Sequence, residues 1–123
     1  MEGAKKILVV EDEKNIILGV KTCLELANYE AVVVQDGEKA IEAAVKEQPH
    51  LVLLDLMLPK VDGFEVCRQL KSREETKHIP VIVLTAKTAE EDREKARAAG
   101  ADSYMTKPFR PEELWQEIER FIA

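Results

Sequence analysis

Residues 51–59 read LVLLDLMLP, and this stretch is the clearest indication of the fold class. Its first four side chains are large and apolar without alternation, a pattern typical of a parallel strand that is covered on both faces of its sheet. Asp55 follows these side chains directly. Ligands of open α/β sheets bind beyond the carboxyl ends of the strands, so this carboxylate is predicted to lie where a ligand site would form.

Four more strands and five helices are predicted from similar patterns. Apolar runs lie at residues 7–10, 31–34 and 81–84, and a weaker run lies at 103–106. Apolar residues at helical spacing fill the intervening and final segments, at residues 16–27, 40–44, 64–70, 89–99 and 114–122. Strands that alternate with helices favour a parallel sheet with right-handed crossovers. We therefore expect one domain over residues 1–123, a three-layer, doubly wound (βα)5 α/β fold of flavodoxin-like strand order 2-1-3-4-5.

Composition excludes several classes of protein. The chain has 123 residues, of which 46% are hydrophobic, too many for a disordered chain. Its 18 Lys and Arg face 24 Asp and Glu, a net charge of −6 that argues against nucleic acid or an anionic membrane surface as a direct partner. No apolar run approaches the roughly 20 residues that span a bilayer, and no signal-peptide pattern opens the chain. We expect a cytoplasmic protein.

Three side chains in helical patterns bear on packing. Cys23 and Cys67 lie among apolar residues, which predicts buried free thiols in a reducing compartment rather than a disulfide. Trp115 lies one position off the apolar stripe of the last helix, so its place is left open between the edge of the core and a surface for a partner. The fourth helix, 89–99, has only alanines as apolar residues, which predicts weak anchoring to the sheet.

Polar side chains follow four of the predicted strands. Glu11 and Asp12 end the first strand, Asp55 the third, Thr85 the fourth and Lys107 the fifth. Clustered carboxylates repel one another unless a cation is present, and carboxylate oxygens suit Mg²⁺. Lys107 can balance charge and Thr85 can donate a hydrogen bond to a phosphoryl oxygen. The set favours Mg²⁺-dependent phosphoryl transfer to an aspartate.

The order and spacing of these motifs resemble the receiver domain of bacterial two-component response regulators. The resemblance extends over essentially the whole chain and rests on residues 7–13, 53–59, 62–63, 83–86, 100–102 and 107–109. It implies that Asp55 accepts a phosphoryl group from a phosphohistidine on a sensor histidine kinase or a phosphotransfer protein. It also implies contacts from Thr85 and Lys107 to the phosphoryl oxygens. The implied Mg²⁺ ligands are Asp12, Glu11 through water, Asp55 and the backbone carbonyl of Met57.

The resemblance further implies how a signal leaves the site. Thr85 would move toward the phosphoryl group, Tyr104 would turn inward, and the surface of the fourth helix, fifth strand and fifth helix would change. The Lys107–Pro108 bond would be cis, as such bonds typically are in this family. The altered surface would bind a downstream effector, an output domain absent from the chain, or a second copy in a phosphorylation-dependent homodimer.

Alternative functions on a similar fold remain open at this point. A haloacid-dehalogenase-like phosphatase needs its nucleophilic aspartate after the first strand and a second acid two residues on, where this chain has Glu11, Asp12 and Glu13. A flavin-binding domain needs a Ser-, Thr- or Gly-rich phosphate loop there, and these acids would repel a phosphate. An inactive adaptor of the same fold is a third possibility. We expect a phosphoacceptor signalling domain rather than an enzyme.

Overall fold

A computed structural model describes residues 3–56, 58, 62–85 and 90–122. Its single parallel sheet has the order β2-β1-β3-β4-β5, which confirms the predicted strand order and the flavodoxin-like α/β fold. The strands are β1 (Lys6–Val10), β2 (Glu30–Val34), β3 (Leu51–Asp55), β4 (Val81–Thr85) and β5 (Ser103–Thr106). The helices are α1 (Lys14–Leu26), α2 (Gly37–Glu47), α3 (Gly63–Ser72), α4 (Glu90–Ala98) and α5 (Pro111–Ile122).

Two apolar layers lie on the two faces of the sheet. Leu51 and Leu53 of β3 pack in the layer under α1 and α5, whereas Val52 and Leu54 pack in the layer under α2, α3 and α4. All four side chains are fully buried. Because successive residues of a strand point to opposite faces, a strand covered on both sides must be apolar at every position. This is the physical reason for the unbroken run at 51–54.

Trp115 lies at the edge of the core, which settles the question that its position in the sequence left open. Its indole Nε1–H donates to the backbone carbonyl of Cys23 on α1 at 2.9 Å. That carbonyl is in the last turn of α1, where Ala27 N–H bonds to Leu24 at 3.1 Å instead. The indole of α5 thus provides a hydrogen-bond donor for a carbonyl near the end of α1, and it packs α5 against α1.

The two cysteines are buried and free, as predicted. Burial raises the pKa of Cys67 to about 11 and also raises the pKa of Cys23, so both are held as thiols. In the part of the chain described above, no helix has the length and apolar character needed to cross a bilayer.

Helix α4 is held to the sheet by small side chains. Its buried residue is Ala96, and Ala99 is buried just beyond its end. The helix ends in a Schellman turn, in which Ala101 N–H bonds to the Ala96 carbonyl and Gly100 N–H to the Arg97 carbonyl. Gly100 has φ +96°, a backbone conformation that residues other than glycine rarely adopt. The alanine packing matches the predicted contacts, while the low stability of α4 stays a prediction.

Candidate functional site

The acids that follow β1 and β3 meet at the carboxyl edge of the sheet. Carboxylate oxygens of Glu11, Asp12 and Asp55 all lie within 4.8 Å of one another. The cause is the strand register. Val10 of β1 pairs with Leu54 of β3, so the next residues, Glu11 and Asp55, lie side by side. Glu11 and Asp55 keep only 3% and 4% of their surface exposed, while Asp12 is exposed. The cluster therefore has two buried carboxylates and one that faces solvent.

Lys107 brings a positive charge to the two buried carboxylates. Its Nζ lies 3.2 Å from Glu11 Oε1 and 3.7 Å from Asp55 Oδ1. Its backbone N–H donates to the Thr85 carbonyl at 2.7 Å, which extends the pairing of β4 and β5 by one residue. The Lys107–Pro108 peptide bond is cis, as the sequence resemblance implied. Lys107 is thus fixed at its backbone and reaches both acids with its side chain.

Among the residues that the structure describes, the site has more negative charge than the Lys107 ammonium balances. The pKa of Glu11 is raised to about 7, first by burial and then by its hydrogen bond with Asp55 and the charge of that neighbour. Lys107 acts in the opposite direction and only partly offsets these effects. Near neutral pH, Glu11 therefore holds a proton for part of the time in the metal-free protein. Hard oxygen donors with surplus negative charge and a solvent-facing side are a donor set that fits Mg²⁺.

Thr85 and Tyr104 lie on the adjacent strands β4 and β5. Thr85 is fully buried at the last position of β4, opposite Thr106. Tyr104 pairs with Val83 and is partly exposed. Its ring lies 5.2 Å from the guanidinium carbon of Arg93 on α4, a cation–π contact. The structure thus places Tyr104 in contact with α4, whereas Thr85 lies beside the acidic edge.

Gly63 lies closer to the backbone of the acidic cluster than spacing alone revealed. A Cβ at this position would lie 2.5 Å from Leu56 Cα and 2.8 Å from the Leu56 carbonyl oxygen, directly after Asp55. Asp62, just before it, accepts a hydrogen bond from Phe64 N–H at 2.9 Å and caps α3. The signal in the sequence was a glycine directly after a capping aspartate, where no turn requires one. Met57, whose carbonyl was an expected Mg²⁺ ligand, lies outside the described residues.

Comparison with known proteins agrees with this geometry. The family model for the response regulator receiver domain matches residues 7–119. The chain belongs to the response regulator receiver domain family. It is 47% identical over 118 residues to the alkaline phosphatase synthesis transcriptional regulatory protein PhoP of Bacillus subtilis, a match that covers 96% of the chain and 48% of PhoP. It is 44% identical to the phosphate regulon regulator PhoB of Pseudomonas aeruginosa, over 96% of the chain and 52% of PhoB.

Solved structures also match the receiver domain over nearly its full length. One is the receiver domain of a sensor histidine kinase of Pseudomonas aeruginosa, with TM-score 0.91, 32% identity and 98% coverage of both chains. That crystal structure has a magnesium ion coordinated in its active site cleft. A chemotaxis protein of Vibrio cholerae matches with TM-score 0.91 and 30% identity, over 97% of this chain and 99% of that one. These matches give no support to the phosphatase or flavin-binding alternatives.

The raised pKa of Glu11 predicts how stability depends on pH in metal-free protein. The folded state binds this proton more tightly than the unfolded chain, in which the pKa of Glu11 is 4.5. The contribution of Glu11 to the free energy of unfolding therefore falls as the pH rises from about 4.5 to 7. We expect the free energy of unfolding of Glu11→Gln to rise by about 1 to 3 kcal/mol relative to the wild type across this range. Urea unfolding in a chelator, from pH 4 to 8, measures the difference.

Glu25→Gln, at an exposed carboxylate on α1, is the matched control and should show no such trend. A difference between Glu11→Gln and the wild type that stays constant over the pH range would contradict the assigned titration.

Proposed function

We propose that this receiver domain accepts a phosphoryl group on Asp55 from a phosphohistidine. Members of the family act in two-component signalling through phosphorylation. The observation that supports Asp55 is its place beside both Glu11 and Lys107, with a 3.7 Å distance from its Oδ1 to the Lys107 ammonium. A carboxylate that is buried next to a cation and a second acid suits a reaction that is governed by charge neutralisation and positioning.

The residues would divide the reaction among themselves as follows. An oxygen of Asp55 attacks the phosphorus, an oxygen–phosphorus bond forms, and the bond between phosphorus and the histidine nitrogen breaks. The imidazole leaves with the electron pair of that bond. Lys107 would move its ammonium from the carboxylates toward a phosphoryl oxygen, and the Thr85 hydroxyl would donate to another. Both groups then stabilise the product acyl phosphate on Asp55.

The acidic cluster would hold Mg²⁺ during transfer. Asp12 is the exposed member and would ligate the ion directly, Asp55 would supply a second oxygen, and Glu11 would act through water. The carbonyl of Met57 stays an expected ligand from the family resemblance. Bound Mg²⁺ supplies positive charge against the phosphoryl oxygens. The Mg²⁺-binding relative supports this assignment by its fold and by the ion in its own cleft.

The proposed partners rest on the family and on its curated relatives. Response regulators receive their phosphoryl group from sensor histidine kinases, and we propose such a kinase, or a phosphotransfer protein, as the donor in the cytoplasm. The chain spans about half the length of the curated relatives that it matches. Some of these relatives are transcriptional regulators, one of them named as DNA-binding. We propose that a separate output domain or a downstream protein carries any such activity, while the absence of direct nucleic-acid contact here stays a prediction.

Phosphoryl uptake tests the proposed acceptor. We expect the wild type, incubated with Mg²⁺ and a small acyl phosphate, to gain one phosphoryl group by intact-mass spectrometry. Asp55→Asn should gain none, because the amide cannot form the acyl phosphate. Asp36→Asn is the matched control, since Asp36 caps α2 and asparagine caps a helix equally well. Uptake by Asp55→Asn at the wild-type rate would show that another residue is the acceptor.

Metal-dependent stability tests the proposed Mg²⁺ site. A ligand that binds only the native state stabilises the protein by about 2.7 kcal/mol when its concentration is 100 times its Kd. We expect Mg²⁺ to raise the unfolding temperature of the wild type and to have little effect on Asp12→Asn. Glu13→Gln, at the next and also exposed acid, should keep the full effect. A wild type that is indifferent to millimolar Mg²⁺ would instead favour the inactive adaptor.

We propose that Thr85 and Tyr104 convert phosphorylation into a change at the α4–β5–α5 surface. A phosphoryl group at Asp55 would draw the Thr85 hydroxyl toward the site and free space along β4 and β5. Tyr104, now under Arg93, would then turn inward and release its contact with α4. Because α4 is anchored through alanine side chains, a small change in contact energy shifts its position. The changed surface would serve an effector, an output domain or a second copy.

Amide hydrogen exchange of α4 tests the switch. We expect phosphorylation to change the exchange rates of residues 90–98 several-fold in the wild type. Thr85→Ala should take up the phosphoryl group but show a much smaller change in α4. Thr106→Ala, at the position paired with Thr85 on β5, is the control that alters the same strand pair. An unaltered α4 response in Thr85→Ala would remove Thr85 from the switch.

A further inference from the structure

We infer that Gly63 is a positioning residue for the phosphoacceptor, an inference that rests on the proposed function of Asp55. Gly63 is the first residue of α3 and is buried. A Cβ there would meet three backbone atoms, namely Leu56 Cα at 2.5 Å, Leu56 O at 2.8 Å and Asp55 O at 3.0 Å. Backbone atoms cannot move aside by a change of rotamer. The start of α3 therefore lies against the backbone of the phosphorylation site with no room for a side chain.

The helix cannot easily retreat from this contact. Asp62 caps its first turn, and Val66, Cys67 and Leu70 are buried in the same apolar layer as Leu54. Movement of α3 would open space around these side chains, which costs free energy in a closely packed layer. The strand end is packed as well. Leu56 keeps only 6% of its surface exposed, lies in the same apolar layer and donates its N–H to the Leu84 carbonyl at 3.2 Å.

Because both sides of the contact are packed, strain at residue 63 would be shared between the start of α3 and the backbone of Asp55 and Leu56, and Asp55 would be displaced. Asp55 Oδ1 now lies 3.7 Å from Lys107 Nζ, and the acidic oxygens lie within 4.8 Å of one another. Displacement of Asp55 by a few tenths of an ångström changes these distances directly. In-line attack on phosphorus depends on such positions, and a misplacement of about 1 Å can cost about 100-fold in rate. Gly63 thus determines the position of the Asp55 carboxylate relative to Lys107 and the other acids, without touching the reacting atoms.

The test compares Gly63→Ala with Gly19→Ala. Gly19 lies on α1, and a Cβ there would meet nothing within 4 Å, so both variants add one methyl group in a helix. At a temperature where both are folded, we expect Gly63→Ala to lower the rate constant of phosphoryl uptake and the affinity for Mg²⁺ by about 10-fold or more each. In metal-free protein, exchange of the Leu56 amide should become faster. Gly19→Ala should match the wild type in all three measurements.

Several outcomes decide the inference. Lower thermal stability in Gly63→Ala with unchanged uptake rate, Mg²⁺ affinity and Leu56 exchange would show a merely structural residue and overturn it. If Gly63→Ala is poorly folded, the double variant Gly19→Ala/Gly63→Ala in trimethylamine N-oxide favours the native state. A double variant that stays unfolded would show that residue 63 serves folding itself and would also overturn the positioning role. A wild type without phosphoryl uptake would refute the proposed function instead.

Discussion

The ammonium of Lys107 contacts two buried carboxylates, and this contact joins the ends of three strands at one edge of the sheet. Lys107 lies within 3.2 Å of Glu11 and 3.7 Å of Asp55, although 96 residues separate it from Glu11. The contact requires β1, β3 and β5 to end at the same level of the sheet. Among the described residues it also leaves three clustered acids beside the Lys107 ammonium, so Glu11 holds a proton for part of the time near neutral pH. A divalent cation would offset the repulsion between the carboxylates, which is why the same cluster is both repulsive when empty and suited to a metal ion.

Much of the fold could be predicted because burial on both faces leaves a plain signal in the sequence. The runs at 7–10, 51–54 and 81–84 are apolar at every position, and these strands are buried at every one of those positions. The edge strands show where the signal fails. Residues 31–34 are as apolar as a central strand, yet β2 lies at the edge of the sheet and is only partly buried. Apolar composition indicates a strand and does not rank it as central or edge.

The site could be predicted only as far as topology reaches. Residues at the carboxyl ends of parallel strands come together in any fold of this class, so the convergence of Glu11, Asp12 and Asp55 followed from position in the chain. The pKa of Glu11 could not be derived in this way, because it depends on burial and on distances of a few tenths of an ångström. The close approach of Gly63 to Leu56 and the hydrogen bond of Trp115 depend likewise on how helices pack against one another. The period of apolar residues in the sequence shows which face of a helix is buried, but it does not show how closely the helix approaches its neighbours.

The two ends of α4 differ in a way that gives the proposed switch a direction. Its C-terminal end leads through the turn at Gly100 to Asp102, whose Oδ2 accepts from Val81 N–H at 2.8 Å and from Lys71 Nζ at 3.0 Å. Lys71 also donates to the Ile79 carbonyl at 3.0 Å, which ties α3 to the start of β4. These bonds lie at the edge of the sheet opposite the acids. The buried alanines of this helix, Ala96 and Ala99, also lie near that turn. A pull on Thr85 would act at the other end of β4, and nearer the start of α4 the described contact with β5 is the cation–π contact of Arg93 with Tyr104. Loss of that contact would let α4 pivot about its C-terminal turn.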